Sequence, residues 1–391
     1  MHVAVIGAGP AGAWTAYELA RRGVRVTVFD ASHPREKPCG GGVTGRALAI
    51  VSSALTHAAF TATPIERARF TRNDGESIAT VDLDPDILVV ASRRQFDQAL
   101  LDAAVRAGAT LCPVRALDVH VESGTGGAAI RTSKGREHAD VLVGADGANS
   151  LVRRRVAHML PRQQLSIATG FFAHGVTSRE IVLETVANPS GYIWSFPRAD
   201  HLAIGICAQA VDGTRSGQLL DRAAAWIERS RIAPTATLQP YSWPIPTLDA
   251  QTLATQSVAG NGWCLVGDAA GLVDPITREG IYFALQSASY AAEAIAAKGP
   301  AAASAYSSRL REDIVPELTK AAQLKAGFFR MAFTDLMLEA LRDSARIRRV
   351  MAELIAGAQP YRSLERRLVR TLEFGLAWRA LKVVREGRAG S

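Results

Sequence analysis

The segment Gly7-Ala-Gly9-Pro-Ala-Gly12 lies between an apolar run, Val3–Ile6, and an apolar stretch with helical character, Ala13–Arg21. Few arrangements restrict a fold so tightly. Gly7 permits a tight turn, and Gly9 lets backbone N–H groups approach a pyrophosphate. Gly12 lets the following helix pack close to the strand, and the helix N-terminus favours negative charge. A second β-prone run, Arg25–Phe29, ends at Asp30, an acid placed to accept ribose hydroxyls. Together with Pro10 and Ala11 inside the turn, these residues predict a βαβ unit that binds a dinucleotide.

A second glycine cluster, Gly124-Thr-Gly126-Gly-Ala-Ala129, superficially fits the same pattern, but the chain continues into the β-prone Ile130-Arg-Thr. It reads as a hairpin turn, so the sequence offers one dinucleotide unit and no second one for NAD(P)H. Cys39, Cys112, Cys207 and Cys264 are widely spaced with no C-x-x-C pair, which argues against zinc or a disulfide framework and suits a reducing cytoplasm. Met1 runs almost directly into a strand, so no signal peptide is expected, and no apolar run approaches a membrane span. The net charge of +8 raises the question of an anionic partner. The arginines are scattered and no nucleic-acid motif is visible, so nucleic acid is not expected. From Ser363 onward, Leu364, Leu368, Leu372 and Leu376 form one stripe, with Arg366, Arg367, Arg370, Arg379, Lys382 and Arg385 around it. Such a basic amphipathic helix either lies on an anionic membrane surface or packs on the body with a solvated basic face.

Two further segments extend the nucleotide site. Asp140-Val-Leu-Val-Gly-Ala-Asp146-Gly147-Ala-Asn-Ser150-Leu-Val-Arg153 and Gly267-Asp268-Ala-Ala-Gly271-Leu-Val-Asp274-Pro275 resemble the second and third fingerprints of the flavoprotein monooxygenase superfamily. The resemblance implies FAD, with Asp268 on the ribitol and Asp146, Gly147 and Pro275 among the cofactor-binding residues. Gly280 and Ile281 open the next helix, whose N-terminal amides would face the flavin pyrimidine. Arg93, at the start of a helix over 94–107, is similar to the family arginine that contacts FAD.

Glu36-Lys37-Pro38-Cys39-Gly40-Gly41-Gly42-Val43 and Gly191-Tyr192-Ile-Trp194-Ser-Phe196-Pro197 narrow the resemblance to the geranylgeranyl reductase family. It implies reduction of isolated polyprenyl double bonds by reduced FAD. An unconjugated alkene needs a proton delivered opposite the hydride, and Cys39 is the candidate donor. Aromatic faces at Trp194 and Phe196 suit developing positive charge, and Tyr192 adds an apolar body with a polar tip. Phe171 and Pro197 join the expected substrate contacts. Lys37, Gly41 and Gly42 join the expected flavin contacts.

The expected architecture is α/β. A Rossmann-type FAD-binding domain comprises residues 1–67, 82–164 and 251–300. An inserted antiparallel substrate sheet comprises 68–81 and 165–250, and a helical region covers 301–391. Short β-prone runs such as Ile181–Thr185 and Leu202–Cys207 carry the insertion. The expected partners are a hydrophobic or lipid substrate and an external electron donor, NAD(P)H or a ferredoxin-like carrier. The chain is expected in the cytoplasm, with peripheral membrane contact as an open option. A flavin monooxygenase is the competing reading, and an electron carrier a second. Halogenation is disfavoured because Lys37 and Lys134 are the only lysines before Lys298.

Overall fold

The computed structural model describes residues 1–56, 60–72, 75–84, 86–122, 127–211 and 213–371. The strand His2–Ile6 lies inside a six-stranded sheet. Its order is Ala259–Gly260, Trp263–Leu265, Val141–Gly144, His2–Ile6, Arg25–Phe29 and Thr110–Cys112. These strands run parallel except for the first pair. Val3, Ala4, Val5 and Leu142 are fully buried, as a sheet covered on both faces requires. The helices Pro10–Ala20, Arg93–Arg106 and Ile281–Lys298 cover it. Ala128–Thr132 is a strand paired antiparallel with Ala116–Val121. The glycines expected to turn this hairpin, Gly124 and Gly126, lie outside the described residues.

A seven-stranded sheet stands beside the first. Its order is Thr237–Pro246, Leu165–His174, His201–Gln209, Gly191–Pro197, Glu180–Val186, Arg67–Arg72 and Glu76–Asp82. The sheet differs from the sequence expectation in one pair, since Glu180–Val186 runs parallel to Arg67–Arg72. Two insertions far apart in sequence meet at that seam, so no hairpin forces them antiparallel. A helix, Ser216–Ser230, also interrupts the run expected to be strands. Its Leu219, Ala223, Trp226 and Ile227 are buried against Ile193, Ile204 and Ile206. Their helical spacing was readable in the sequence.

Strand alternation then fixes which aromatics meet the other side. Tyr192, Trp194 and Phe196 point away from the Ser216–Ser230 helix, and Ile193 points toward it. The helices Met331–Asp343 and Ala345–Ile355 close over the far edge, where Met337, Leu338 and Ile347 pack with Phe70, Val81 and Leu88. The helix Tyr361–Val369 buries Tyr361 and packs Leu364 against Ile276 and Leu324. The rest of the expected basic stripe, from Leu372 to Arg385, lies outside the described residues.

Trp194 lies across Gly205, where an added Cβ would stand 2.4 Å from the indole and 2.7 Å from the Tyr241 hydroxyl. Gly205→Ala is therefore expected to displace the indole and destabilise the protein by about 1–3 kcal/mol. Urea unfolding of the flavin-bound protein measures it; an unchanged midpoint would show that the ring shifts freely.

Candidate active site

A cavity of about 970 Å³ runs between the two sheets and the C-terminal helices. One end is built by the first glycine turn. Gly7 holds φ +101°, and an added Cβ would lie 2.5 Å from the Ala145 carbonyl; at Gly12 it would lie 1.9 Å from that of Gly7. An added Cβ at Gly9, by contrast, meets nothing within 4 Å. Open space thus faces the N-terminus of the Pro10–Ala20 helix, which no side chain caps. The helix Ile281–Lys298 likewise begins without a side-chain cap at the cavity edge, after Gly280. Uncapped amide donors at both positions suit a dinucleotide with an anionic pyrophosphate and an electron-rich ring.

The acids expected from the sequence take distinct positions here. Asp30 accepts from Ala8 N at 2.8 Å and from Ser32 N and Oγ at 2.6 Å while bordering the cavity. Asp146 accepts from Leu151 N at 2.6 Å and Val152 N at 3.1 Å, anchoring the short helix Leu151–Val156. Burial pushes its carboxyl above the ordinary range. Asp268 pairs with Lys37 at 2.9 Å. Burial opposes its charge, but the Lys37 ammonium outweighs that and holds the carboxyl below its usual range. Two residues expected to contact the cofactor, 231 positions apart, are thus one ion pair. Arg153 joins the second and third fingerprints, donating to the Ala269 carbonyl at 3.1 Å and Gln256 Oε1 at 3.0 Å.

The Cys39–Gly42 loop and the Tyr192–Phe196 strand meet directly. A Cβ at Gly40 or Gly42 would lie 3.0 or 3.3 Å from the Phe196 ring. These two glycines therefore make room for an aromatic ring. Gly41 holds φ +85°, and an added Cβ there would press on the Ala91 carbonyl at 2.5 Å. Cys39 Sγ accepts from Gly41 N at 3.1 Å and lies 3.6 Å from Arg93 Nη1. Arg93 borders the cavity, yet its guanidinium is committed to a bidentate pair with Asp97 at 2.7 and 2.8 Å.

Gly7, Gly9, Pro10, Ala11, Asp30, Lys37, Cys39, Gly41, Gly42, Arg93, Asp146, Gly147, Asp268, Gly280, Ile281, Tyr192, Trp194 and Phe196 all line the cavity. Gly12 stands one layer behind. Three expectations are corrected. Phe171 faces the Ser216–Ser230 helix with Ile193, because odd positions of its strand point away from the cavity. Pro197 alternates to that same face, opposite Leu202. Pro275 does not border the cavity, and its carbonyl accepts from Arg278 Nη1. The sequence reading missed Trp243, Phe328, Met337 and Met351 in the lining. It also missed Glu279, which burial pushes toward the neutral form while Arg46 and Thr44 hold its carboxylate. An isolated apolar residue on a late helix carries no signal of the cavity it borders; the acid beside Gly280 did.

Behind the nucleotide end, the buried His33 imidazole lies 3.1 Å from Asp30 and 3.7 Å from Asp97. Burial disfavours its charge, but the two carboxylates outweigh that and raise its pKa above the usual 6.5. The resulting stabilisation is fully present below the unfolded value and is lost as pH rises through the raised folded value. Thermal unfolding of the flavoprotein from about pH 6 to about pH 9 is expected to show this decline in the native chain. His33→Gln is expected to flatten it; an identical profile in the variant would remove His33 as its source.

A family model described as an FAD binding domain matches residues 1–310. The digeranylgeranylglycerophospholipid reductase of Methanothrix thermoacetophila is 31% identical over 363 residues, covering 85% of this chain and 89% of that one. The menaquinone reductase of Mycobacterium tuberculosis is 30% identical, covering 74% of this chain and 75% of that one. A solved structure of a geranylgeranyl bacteriochlorophyll reductase-like protein from Thermoplasma acidophilum has the same fold. Its TM-score is 0.77 at 21% identity, covering 94% of this chain and 98% of that one. The uncapped helix termini, the glycine turn and the Lys37–Asp268 pair fit FAD, and the chain belongs to the geranylgeranyl reductase family of FAD-dependent oxidoreductases.

Proposed function

We propose that the protein uses reduced FAD to saturate isolated C=C bonds of an isoprenoid substrate. The observation that carries this reading is the continuity of the cavity. From the glycine turn and Asp268 it passes Trp194 and Phe196 and ends among Phe70, Ile181, Leu338 and Met351. A polyprenyl chain is apolar along its whole length, so it suits such an end. The volume lies at the upper limit of small-molecule sites, about 300–1,000 Å³. Cys39, Tyr192 and Trp194 are proposed as the reacting shell, Phe196 as a substrate contact, and the remaining lining residues of the glycine turns as FAD contacts.

Reduced FAD supplies the hydride. The chain supplies the rest. Trp194 and Phe196 exclude water and present π faces toward positive charge developing on a substituted carbon. Tyr192 is fixed by its hydroxyl, which donates to the Thr277 carbonyl at 2.7 Å. Cys39 Sγ is the proposed proton source for the second carbon, held by Gly41 N–H and 3.6 Å from Arg93 Nη1. An external donor would restore the hydride equivalent, as a hydride from NAD(P)H or as two electrons from a ferredoxin-like carrier with a proton from water, and bulk water would return a second proton to Cys39. The lone lysine among the lining residues, Lys37, is paired with Asp268 and so poorly placed for the halogen transfer of related folds.

The proposed arrangement is a discontinuous FAD domain, an inserted substrate sheet and a C-terminal helical region. Peripheral membrane contact through the basic C-terminal helix is part of the same proposal. No helix among the described residues is long and apolar enough to cross a membrane. The exposed Arg362 and Arg370 flank the described part of that basic stripe.

Anaerobic addition of geranylgeranyl diphosphate or a prenylated lipid extract to dithionite-reduced enzyme is expected to reoxidise the flavin. The product should gain two hydrogens per double bond. Flavin that stays reduced until air enters and then yields an oxygenated product would instead mark a monooxygenase. Cys39→Ser is expected to slow single-turnover alkene reduction by about 10²-fold at unchanged flavin content. An unchanged rate would assign the proton to another group.

A further inference from the structure

Glu279 is an acid that the chemistry proposed above does not use. Its side chain is 15% exposed and lines the cavity, between the two loops that carry the expected flavin contacts. On one side ends the Cys39–Thr44 loop, where Thr44 Oγ1 donates to Glu279 Oε1 at 2.8 Å. On the other stands Gly280, which opens the uncapped helix Ile281–Lys298. A Cβ at Gly280 would lie 3.2 Å from Asp268 Oδ1, so this turn also adjoins the Lys37–Asp268 pair. The second carboxyl oxygen, Oε2, pairs with Arg46. That guanidinium is shared. It donates to the Gly357 carbonyl at 3.0 Å and lies 3.8 Å from the Tyr282 ring centroid.

Among the described residues, the charged and titratable groups facing Glu279 pull in both directions. Arg46, on the helix Gly45–Leu55, and the Thr44 hydroxyl favour its carboxylate. Asp274 opposes it, a buried acid that accepts from Ile276 N at 2.7 Å and Thr277 N at 3.1 Å. The Tyr282 and Tyr361 phenols are raised by burial and stay neutral. Arg278, the chain neighbour, turns instead to Cys207 Sγ at 3.3 Å and to the Pro275 carbonyl. Burial is the largest influence and leaves the Glu279 acid above its ordinary range. Any further negative charge nearby tips such a group to its neutral form. Reduction of a flavin by two electrons and one proton adds that charge, on the ring that the Gly280 helix terminus suits. A fixed carboxylate would repel it, whereas a carboxyl that takes up a proton does not.

We propose that Glu279 binds a proton when the flavin is reduced and releases it when the flavin is reoxidised, so that the site takes up two protons for two electrons. The balance closes without a further reactant. Two electrons and one proton enter the flavin, the second proton passes from water to the Glu279 carboxylate, and the net charge of the site stays constant. When the hydride leaves, the Glu279 proton returns to water and the ion pair with Arg46 is restored. The inference rests on FAD at this site and not on the substrate.

The holoenzyme, without substrate, is titrated anaerobically with dithionite and redox mediators from about pH 5 to about pH 9, and the flavin absorbance gives the midpoint potential. Uptake of two protons makes the reduction equilibrium fall hundredfold per pH unit, about 59 mV; uptake of one makes it fall tenfold, about 30 mV. Reduction raises the Glu279 pKa. The native enzyme is therefore expected to show the steeper slope between the values of that pKa with oxidised and with reduced flavin, and the shallower slope on either side. Glu279→Gln, checked for flavin content, is expected to show the shallower slope throughout. Thr44→Val removes a donor to the carboxylate and is expected to move the steep interval to higher pH. On reduction, the infrared difference spectrum of the native enzyme is expected to gain a protonated-carboxyl C=O stretch, absent in Glu279→Gln. A native slope of about 30 mV throughout, an unchanged slope in Glu279→Gln, or no carboxyl band gained on reduction overturns the proposal. Should Glu279→Gln lose its flavin, the native infrared band and the Thr44→Val shift decide. Such a failure leaves alkene reduction standing, and an oxygenated product in the substrate assay leaves the Glu279 proton standing.

Discussion

A buried ion pair joins the two halves of this protein. Arg198 is 1% exposed at the end of the Gly191–Pro197 strand, and its guanidinium pairs with Glu36 and donates to the Cys39 carbonyl at 2.8 Å. Burial works against the Glu36 charge, but Arg198 more than offsets it and holds the carboxyl below its usual range. Glu36 also accepts from Ser92 Oγ at 2.5 Å and Arg93 N at 3.0 Å. One carboxylate therefore ties together the second sheet, the Cys39 loop and the start of the Arg93–Arg106 helix. A buried pair of this kind contributes little net stability over an apolar substitute, but losing one partner typically costs about 3–5 kcal/mol. Its value lies in position, because the Phe196 ring meets Gly40 and Gly42 only while the two sheets keep this separation.

The cavity divides by chemistry along its length. At one end, amide donors of two helix termini, the Lys37–Asp268 pair and the Asp30–His33–Asp97 cluster present fixed charge and dipoles to the cofactor. In the middle, Trp194 and Phe196 stand on glycines that let the rings lie flat against backbone. The far end is lined mainly by apolar side chains, several of them from the C-terminal helices. A polar cofactor and a greasy chain can then share one enclosure, each solvated by its own section of wall. The Ala345–Ile355 and Tyr361–Val369 helices are also tied back to the flavin side, because Arg46 pairs with Glu279 and donates to the Gly357 carbonyl at 3.0 Å.

Much of the nucleotide end was legible because it is local. Gly7 to Asp30 is one continuous βαβ unit, and its physical demands fall on adjacent residues. The Asp146 and Asp268 segments were legible through motif resemblance. Less of the substrate end was readable. Phe171 and Phe172 are neighbours in sequence, yet one faces the Ser216–Ser230 helix and the other packs with Trp194 and Tyr241. Which face of a strand is wet, covered or hollow depends on what packs there, and that is settled by segments far away. The Ser216–Ser230 helix was missed for a different reason. Its Leu219, Ala223, Trp226 and Ile227 period was present but lay among β-prone runs.

The sequence by itself determined the dinucleotide turn and the strand–helix–strand unit around it, because backbone sterics and period act there on residues a few positions apart. The flavin, and the glycine loop and aromatic strand as marks of one family, were legible through motif resemblance. Only the tertiary structure decided that Lys37 meets Asp268, that Arg198 meets Glu36, that Pro197 and Phe171 turn away, and that Arg278 meets Cys207 and Lys325 meets Gln209. Those outcomes depend on contacts between segments up to a few hundred residues apart. Such contacts are selected by packing and burial across the whole chain, and no local window of sequence carries that information.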